Sequence, residues 1–556
     1  MSASILPKGK KHLEIYLNAK GNVVMKKIAI RILSLMLSAI MLACALASCG
    51  AGDAYAPNNK GEGGFMDSMS GGAPSPEGSL DNSEPGEAPD NDEDYAEIVE
   101  NDFMNVLENP LATLSADVDT ASYSNIRRMI TSGYKLSDIP KNAVRTEEML
   151  NYFKYDYKLP DENEPFGVSV TISECPWNPE NKLAIFGFKT EEIDYSQNDK
   201  PSNLVFLIDV SGSMMSSNKL PLFKEVFASF VENLTEKDRI SIVTYSGKEK
   251  VVLQGCTGDK KNEIIAAVNE LTASGSTNGQ SGLQKAYSLA KDYFIEGGNN
   301  RIIMASDGDL NVGISSPEEL KNFVAQKRNE GIYLSVLGFG TGNYRDDNME
   351  ALADNGNGNY FYIDSVEEGQ KVLGTDLNAT INTVANDVKF QIDFNHEYVE
   401  SYSLIGYENR VLNTEDFEDD KKDAGEVGSG HCLTVAFELK MVENEEEKKS
   451  EEWLTVCVRY KEPGEAESKL LEYPITASSY TATPSDDYYF AASIIEFAMV
   501  LRESKYCNGT DLNTVLSLLS DIQFKDDYRA EFKELVELLM AQSGISSGSS
   551  GGSRYQ

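Results

Sequence analysis

The chain has 556 residues, enough for several domains that each bury a core of their own. Its 50 Lys and Arg against 89 Asp and Glu leave a net charge of -39, which argues against nucleic acid as a partner, because phosphate binding needs a basic surface. Apolar residues at 41% indicate a mostly globular protein, and an acidic surface of this kind favours solubility and gathers cations.

Met25-Lys26-Lys27 opens a positive stretch, and Ile28 to Ala47 is apolar apart from Arg31 and a few small polar residues. This is the pattern of a secretory signal. It ends Leu46-Ala47-Ser48-Cys49-Gly50, which resembles the bacterial lipobox, so the resemblance implies that Cys49 receives the lipid and becomes the first mature residue. Cys44 follows the bulky Leu42 and fits less well. A plain transmembrane anchor is the competing reading, since the run approaches the ~20 residues that span a bilayer. Residues 1–48 are therefore expected to be a signal region, with an extracytoplasmic, membrane-anchored lipoprotein as the product.

From Cys49 to residue 95 the chain is rich in Gly, Ser, Pro, Asn, Asp and Glu, and reads as a disordered acidic tether. Five cysteines follow it, Cys175, Cys256, Cys432, Cys457 and Cys507, at spacings that match no zinc or redox pattern. Residues 96–202 read as a small α+β region. Asn125 to Ile130 and Arg145 to Phe153 have helical spacing. Asp117 and Asp119 are expected to open a helix as caps rather than to bind metal.

Residues 203–387 carry the sharpest pattern. Leu204 to Ile208 is a short apolar run of buried parallel-strand type that meets Asp209-Val-Ser-Gly-Ser-Met214 at its carboxyl end. The spacing then predicts a helix over Leu220–Leu234, strands over Arg239–Tyr245 and Lys250–Leu253, helices over Lys260–Leu271 and Gly279–Phe294, and a strand over Arg301–Ala305. A helix over Pro317–Glu330 with Ser316 as its N-cap, a strand over Ile332–Phe339, a helix over Asp346–Ala353 and a strand over Tyr360–Ile363 complete the alternation. The fold class expected is α/β, a doubly wound and mainly parallel sheet of Rossmann-like type, whose ligands sit at the carboxyl ends of the strands.

Three loops at that edge offer oxygen. Asp209, Ser211 and Ser213 form D-x-S-x-S, Thr277 stands in Gly275-Ser-Thr-Asn278, and Asp307 stands in Ser306-Asp-Gly-Asp309. Hard oxygen donors suit Mg²⁺, with Mn²⁺ as the alternative. Asp309 and Asn311 are further oxygen groups outside the core set. These residues resemble the metal-ion-dependent adhesion site of von Willebrand factor type A domains over the whole of residues 203–387. The resemblance implies that Ser211, Ser213 and Thr277 bind the ion through hydroxyls, while Asp209 and Asp307 act through water or supporting hydrogen bonds. It also implies that a partner supplies an acidic side chain as the last ligand.

Residues 388–542 read as antiparallel strands, such as Leu433–Leu439 and Trp453–Tyr460, expected to form a small β-sandwich, followed by helices over Tyr488–Leu501, Leu512–Leu519 and Tyr528–Met540. Residues 543–556 form a Gly/Ser-rich tail. Arg502 is expected to be solvated or packed. The Asp117–Ser122 segment, the central domain and Phe490–Arg502 together resemble a bacterial family of exported proteins with this three-part layout. The function expected is binding, not catalysis, of a protein or surface polymer that offers a carboxylate, with the membrane as a second partner through Cys49. A metal-assisted hydrolase and a metal-independent scaffold subunit of an envelope complex are the alternatives.

Overall fold

The computed structural model describes residue 93 and residues 95–546, apart from 163, 193–199, 277–278, 309–316, 342–344, 423 and 444–450. Cys49, the apolar leader, most of the tether and Ser316 lie outside the described residues. Strands β1 (Met104–Asn105) and β2 (Leu111–Ser115) come first, then helices α1 (Ala121–Thr131) and α2 (Thr146–Asn151), then strands β3 (Gly167–Glu174) and β4 (Lys182–Lys189). An alternating segment follows, with β5 (Ser202–Asp209), α3 (Leu220–Val231), β6 (Arg239–Tyr245), β7 (Lys250–Thr257), α4 (Lys261–Asn269), α5 (Gly279–Asp292) and β8 (Asn299–Ser306). It continues with α6 (Pro317–Asn329), β9 (Tyr333–Phe339), α7 (Asp346–Asn355), β10 (Tyr360–Ile363) and α8 (Val366–Lys371), which passes through a π-helical turn into α9 (Leu377–Ile381). Strands β11 (Thr383–Phe394), β12 (Val399–Ile405), β13 (Val427–Gly428), β14 (Cys432–Met441), β15 (Glu452–Lys461) and β16 (Lys469–Thr476) precede helices α10 (Asp486–Arg502), α11 (Leu512–Leu519) and α12 (Asp527–Gln542).

The alternating segment builds one six-stranded sheet in the order β10-β9-β8-β5-β6-β7, parallel except for β7. Every residue of β5 is buried, the condition that a near-continuous apolar run satisfies only at the centre of a sheet covered on both faces. Side chains alternate across it. Leu204, Phe206 and Ile208 join Phe223, Val226 and Phe230 of α3 in one core, while Val205 and Leu207 join Leu283 and Ala286 of α5 in the other. The chain leaves β5 toward β6 on one side and later returns to β8 on the other. The crevice between the carboxyl ends of β5 and β8 is thus the topological switch point, the place where doubly wound sheets hold ligands.

The strands flanking this segment are not two separate modules. One sheet runs β1-β12-β14-β4-β3 and the other β13-β11-β15-β16, with β2 also paired to β11. The expected sandwich is present, but β1 to β4 supply part of both its sheets, and Phe166, Phe186 and Phe188 share a core with Phe390, Phe394 and Phe437. The alternating domain is an insertion between β4 and β11. Helices α1 and α2 likewise pack with α10, α11 and α12 around Tyr123, Phe153, Phe490 and Phe532.

Buried charge seats the inserted domain. Arg145, ahead of α2, pairs with Glu148 and reaches Asp346 of α7 at 2.5 Å and Glu350 at 3.5 Å. Arg410 reaches Asp119 at 3.2 Å, Asp354 at 3.3 Å and Asp117 at 3.4 Å. Asp117 and Asp119 are therefore not helix caps, which corrects the expectation: the N-cap of α1 is Thr120, without a side-chain cap. Asp119 also accepts the Tyr360 N–H at 2.7 Å. Arg502 likewise turns out to be paired, with Glu408 at 2.7 Å.

Candidate metal site

Asp209 is the last residue of β5, and Asp307 follows β8. Because Ile208 is in register with Ala305, the parallel pairing delivers both carboxylates to the same end of the sheet. Both are buried, as is Ser211, while Ser213 is half-buried. Asp209 Oδ1 accepts the backbone N–H of Ser211 at 2.7 Å, which curls the loop back over the strand end. The hydroxyls of Ser211 and Ser213 then stand 2.9 Å apart. Three backbone bonds brace the loop: Val210 N–H to Tyr245 O at 2.9 Å, Gly212 N–H to Gly275 O at 3.0 Å, and Ser274 N–H to Val210 O at 2.7 Å. The segment leading to Thr277 is thereby held against Gly212. Thr277 itself, with Asp309 and Asn311, lies outside the described residues.

Two groups at the site were not foreseen from the sequence. Lys219 donates to Asp307 Oδ2 at 2.9 Å with its ammonium buried. It gets there because Gly340, at φ +84°, presents no side chain: a Cβ at that position would lie 2.1 Å from Lys219 Cε. Tyr245 ends β6 on the other side, and its buried hydroxyl faces the Asp209 and Ser306 side chains without closing a well-formed hydrogen bond. A positively charged side chain six residues after D-x-S-x-S was the only available signal, and it gave no hint of its partner.

The electrostatics of Asp209 test whether a cation fits. Its Oδ2 is buried and faces the Tyr245 hydroxyl without closing a well-formed hydrogen bond, and a buried charged oxygen left so is costly. Burial pushes the carboxyl up to about 7, against the pull of Ser211 and of the Tyr245 hydroxyl and with a further push from Asp307. A divalent cation beside Oδ2 and the two serine hydroxyls would remove that penalty, so the donors present fit one. The set is hydroxyl-rich: among the described residues no group of three or more His, Cys, Asp or Glu side chains is arranged to hold a metal. Lys219 already neutralises Asp307, so the site carries little net negative charge.

Comparison with known proteins defines the class first. A family model described as von Willebrand factor type A domain matches residues 203–375, one described as von Willebrand factor matches 89–184, and one described as uncharacterized protein YfbK, C-terminal, matches 379–541. Domains of the A type commonly bind a divalent metal at a site of this kind and usually mediate protein–protein interaction. The chain is 39% identical to the YfbK protein of Escherichia coli (strain K12) over 477 residues, which is 81% of this chain and 82% of that one. It belongs to that family. A human inter-alpha-trypsin inhibitor heavy chain H3 is 29% identical over 270 residues, 44% of this chain and 29% of its own. A solved von Willebrand factor type A protein from Catenulispora acidiphila is 15% identical with a TM-score of 0.41, covering 70% of this chain and 91% of that one.

Proposed function

We propose that the chain is a cell-envelope binding protein whose A-type domain holds Mg²⁺ and, through it, an acidic group of a protein or surface polymer. The observation that carries this reading is the buried Oδ2 of Asp209, which closes no well-formed hydrogen bond, beside the Ser211 and Ser213 hydroxyls at the switch point of the sheet. Ser211 and Ser213, with Thr277, would hold the ion through hydroxyl oxygens, and Asp209 and Asp307 would support it through water or hydrogen bonds. Bound there, Mg²⁺ supplies an electrophilic position for a carboxylate. Lys219 keeps Asp307 from adding a full negative charge, so the partner's acid is favoured as a ligand. The signal region and the lipobox around Cys49 support an anchored, extracytoplasmic location.

The test is calorimetric titration of Mg²⁺ and of Mn²⁺ into the full chain and into an Asp209→Ala/Ser211→Ala variant. Saturable binding weakened at least about tenfold in the variant is expected. A folded wild type that takes up neither ion sinks the metal reading.

A further inference from the structure

Beside the metal site the sheet edge opens into a cleft of about 700 Å³. One wall belongs to the inserted domain: Asn218, next to Lys219; Thr341, next to Gly340; and Asp364 with Glu367, just beyond β10. The other wall is α1 and the first turns of α12, with Arg127, Asp527, Tyr528 and Glu531. The cleft thus reaches the chain neighbours of Lys219 and Gly340, the pair that packs beside Asp307, but half of it is built by the flanking helices.

The charge that this cleft offers to a ligand is negative. Arg127 is only 6% exposed and is gripped by Asp364 at 2.5 Å and Glu368 at 2.8 Å. Arg128 is 9% exposed and paired with Glu93 at 2.9 Å. The acids face water instead: Glu367 and Asp527 are exposed, and the Glu531 side chain is 41% exposed with Arg127 at 3.3 Å. Between them stands the ring of Tyr528, 36% exposed, whose centre also lies 5.7 Å from the ammonium of Lys371, a side chain already paired with Glu368 and Asp376. An accessible aromatic face ringed by carboxylates attracts a guanidinium or ammonium group.

We propose that this cleft takes an arginine or lysine side chain of the same partner whose carboxylate reaches the metal site, so that the protein recognises a polypeptide segment carrying an acidic and a basic residue close together. The proposal rests on the metal reading above and adds to it the chemistry of the partner. A carboxylate alone is common to most protein surfaces. An acid and a base at a fixed separation are not, and the cleft makes that pair the selected feature.

The probe is a set of labelled Gly/Ser peptides, each holding one Asp and one Arg at a different short spacing, beside twins in which citrulline replaces the Arg. Binding to the full chain is measured by fluorescence anisotropy with Mg²⁺ and with a chelator. At one or two spacings the Arg peptide binds roughly five- to tenfold tighter than its twin. That advantage is lost in E367Q/D527N/E531Q, and in E367Q alone it shrinks, while E462Q/E465Q/E467Q, with the same charge change on the exposed turn between β15 and β16, keeps it. If Arg and citrulline peptides bind alike at every spacing while Mg²⁺-dependent binding of Asp persists, the cleft proposal is overturned and the metal reading stands. An Arg advantage that survives the cleft variants, or falls equally in the turn variant, also overturns it by pointing to the general field of an acidic protein. Absence of any Mg²⁺-dependent binding removes the metal reading and this proposal with it.

Discussion

Replacing Asp346 with Asn should stabilise this protein, and only at neutral and alkaline pH. Asp346 is 1% exposed, pairs with Arg145 Nη1 at 2.5 Å and accepts the Tyr360 hydroxyl at 2.9 Å. Arg145 also serves Glu148 and Glu350, so three carboxylates share one guanidinium. Burial pushes Asp346 from 3.8 up to about 7, against the attraction of Arg145 and with Glu350 and Glu148 adding to the rise. Its contribution to stability is therefore fully present below the unfolded value near 4 and lost as pH rises through about 7, where the penalty levels off at roughly 4 kcal/mol. An Asn amide carries no such penalty. Its oxygen accepts from Arg145 and its NH₂ donates to the Tyr360 oxygen, a pair weaker than the charge-assisted one by about 1 kcal/mol. The variant should gain about 2–3 kcal/mol at about pH 8 and under about 1 kcal/mol at about pH 5. Urea denaturation at the two pH values measures both. A variant less stable than wild type at pH 8, or a difference that does not change with pH, refutes the reasoning.

The opposite change on the same seam should be harmful: Arg410→Met leaves Asp119, Asp117 and Asp354 without their shared counter-charge and should cost about 3–5 kcal/mol in urea unfolding, with a loss under about 1 kcal/mol counting against the account. Gly340→Ala forces a left-handed residue and drives a methyl into Lys219; a loss of about 1–3 kcal/mol by thermal unfolding is expected, and an unchanged melting temperature would show that Lys219 has room to move. Arg301 is 2% exposed, lies over Tyr333 and donates to the neutral Ser335 hydroxyl at 2.7 Å, and burial pulls it down to about 10 against the weaker attraction of Tyr333 and Glu426. Arg301→Met should consequently unfold at equal or higher urea, by up to about 2 kcal/mol, and a clear loss would mean that the charge has a compensating partner.

What the sequence determined by itself was local. The apolar run Leu204–Ile208 marks a central strand because a strand covered on both faces admits little else, and the oxygen-bearing residues follow their strands directly, so D-x-S-x-S and Asp307 could be placed on one sheet edge from spacing alone. The alternation of strand and helix from β5 to β10 was readable for the same reason, but the boundary expected at residue 387 falls inside β11, a sandwich strand that already starts at Thr383. The partners were decided only by the tertiary structure. Nothing near Lys219 in the chain announces Asp307, and nothing in the Asp117–Asp119 stretch announces Arg410, because an ion pair is fixed by burial and approach and not by sequence distance. The interleaving of β1 to β4 with β11 to β16 was equally unreadable: each strand shows its own period of two, but hydrogen-bonded neighbours such as β2 and β11 are joined through the whole inserted domain, and periodicity carries no label for the strand across the ladder.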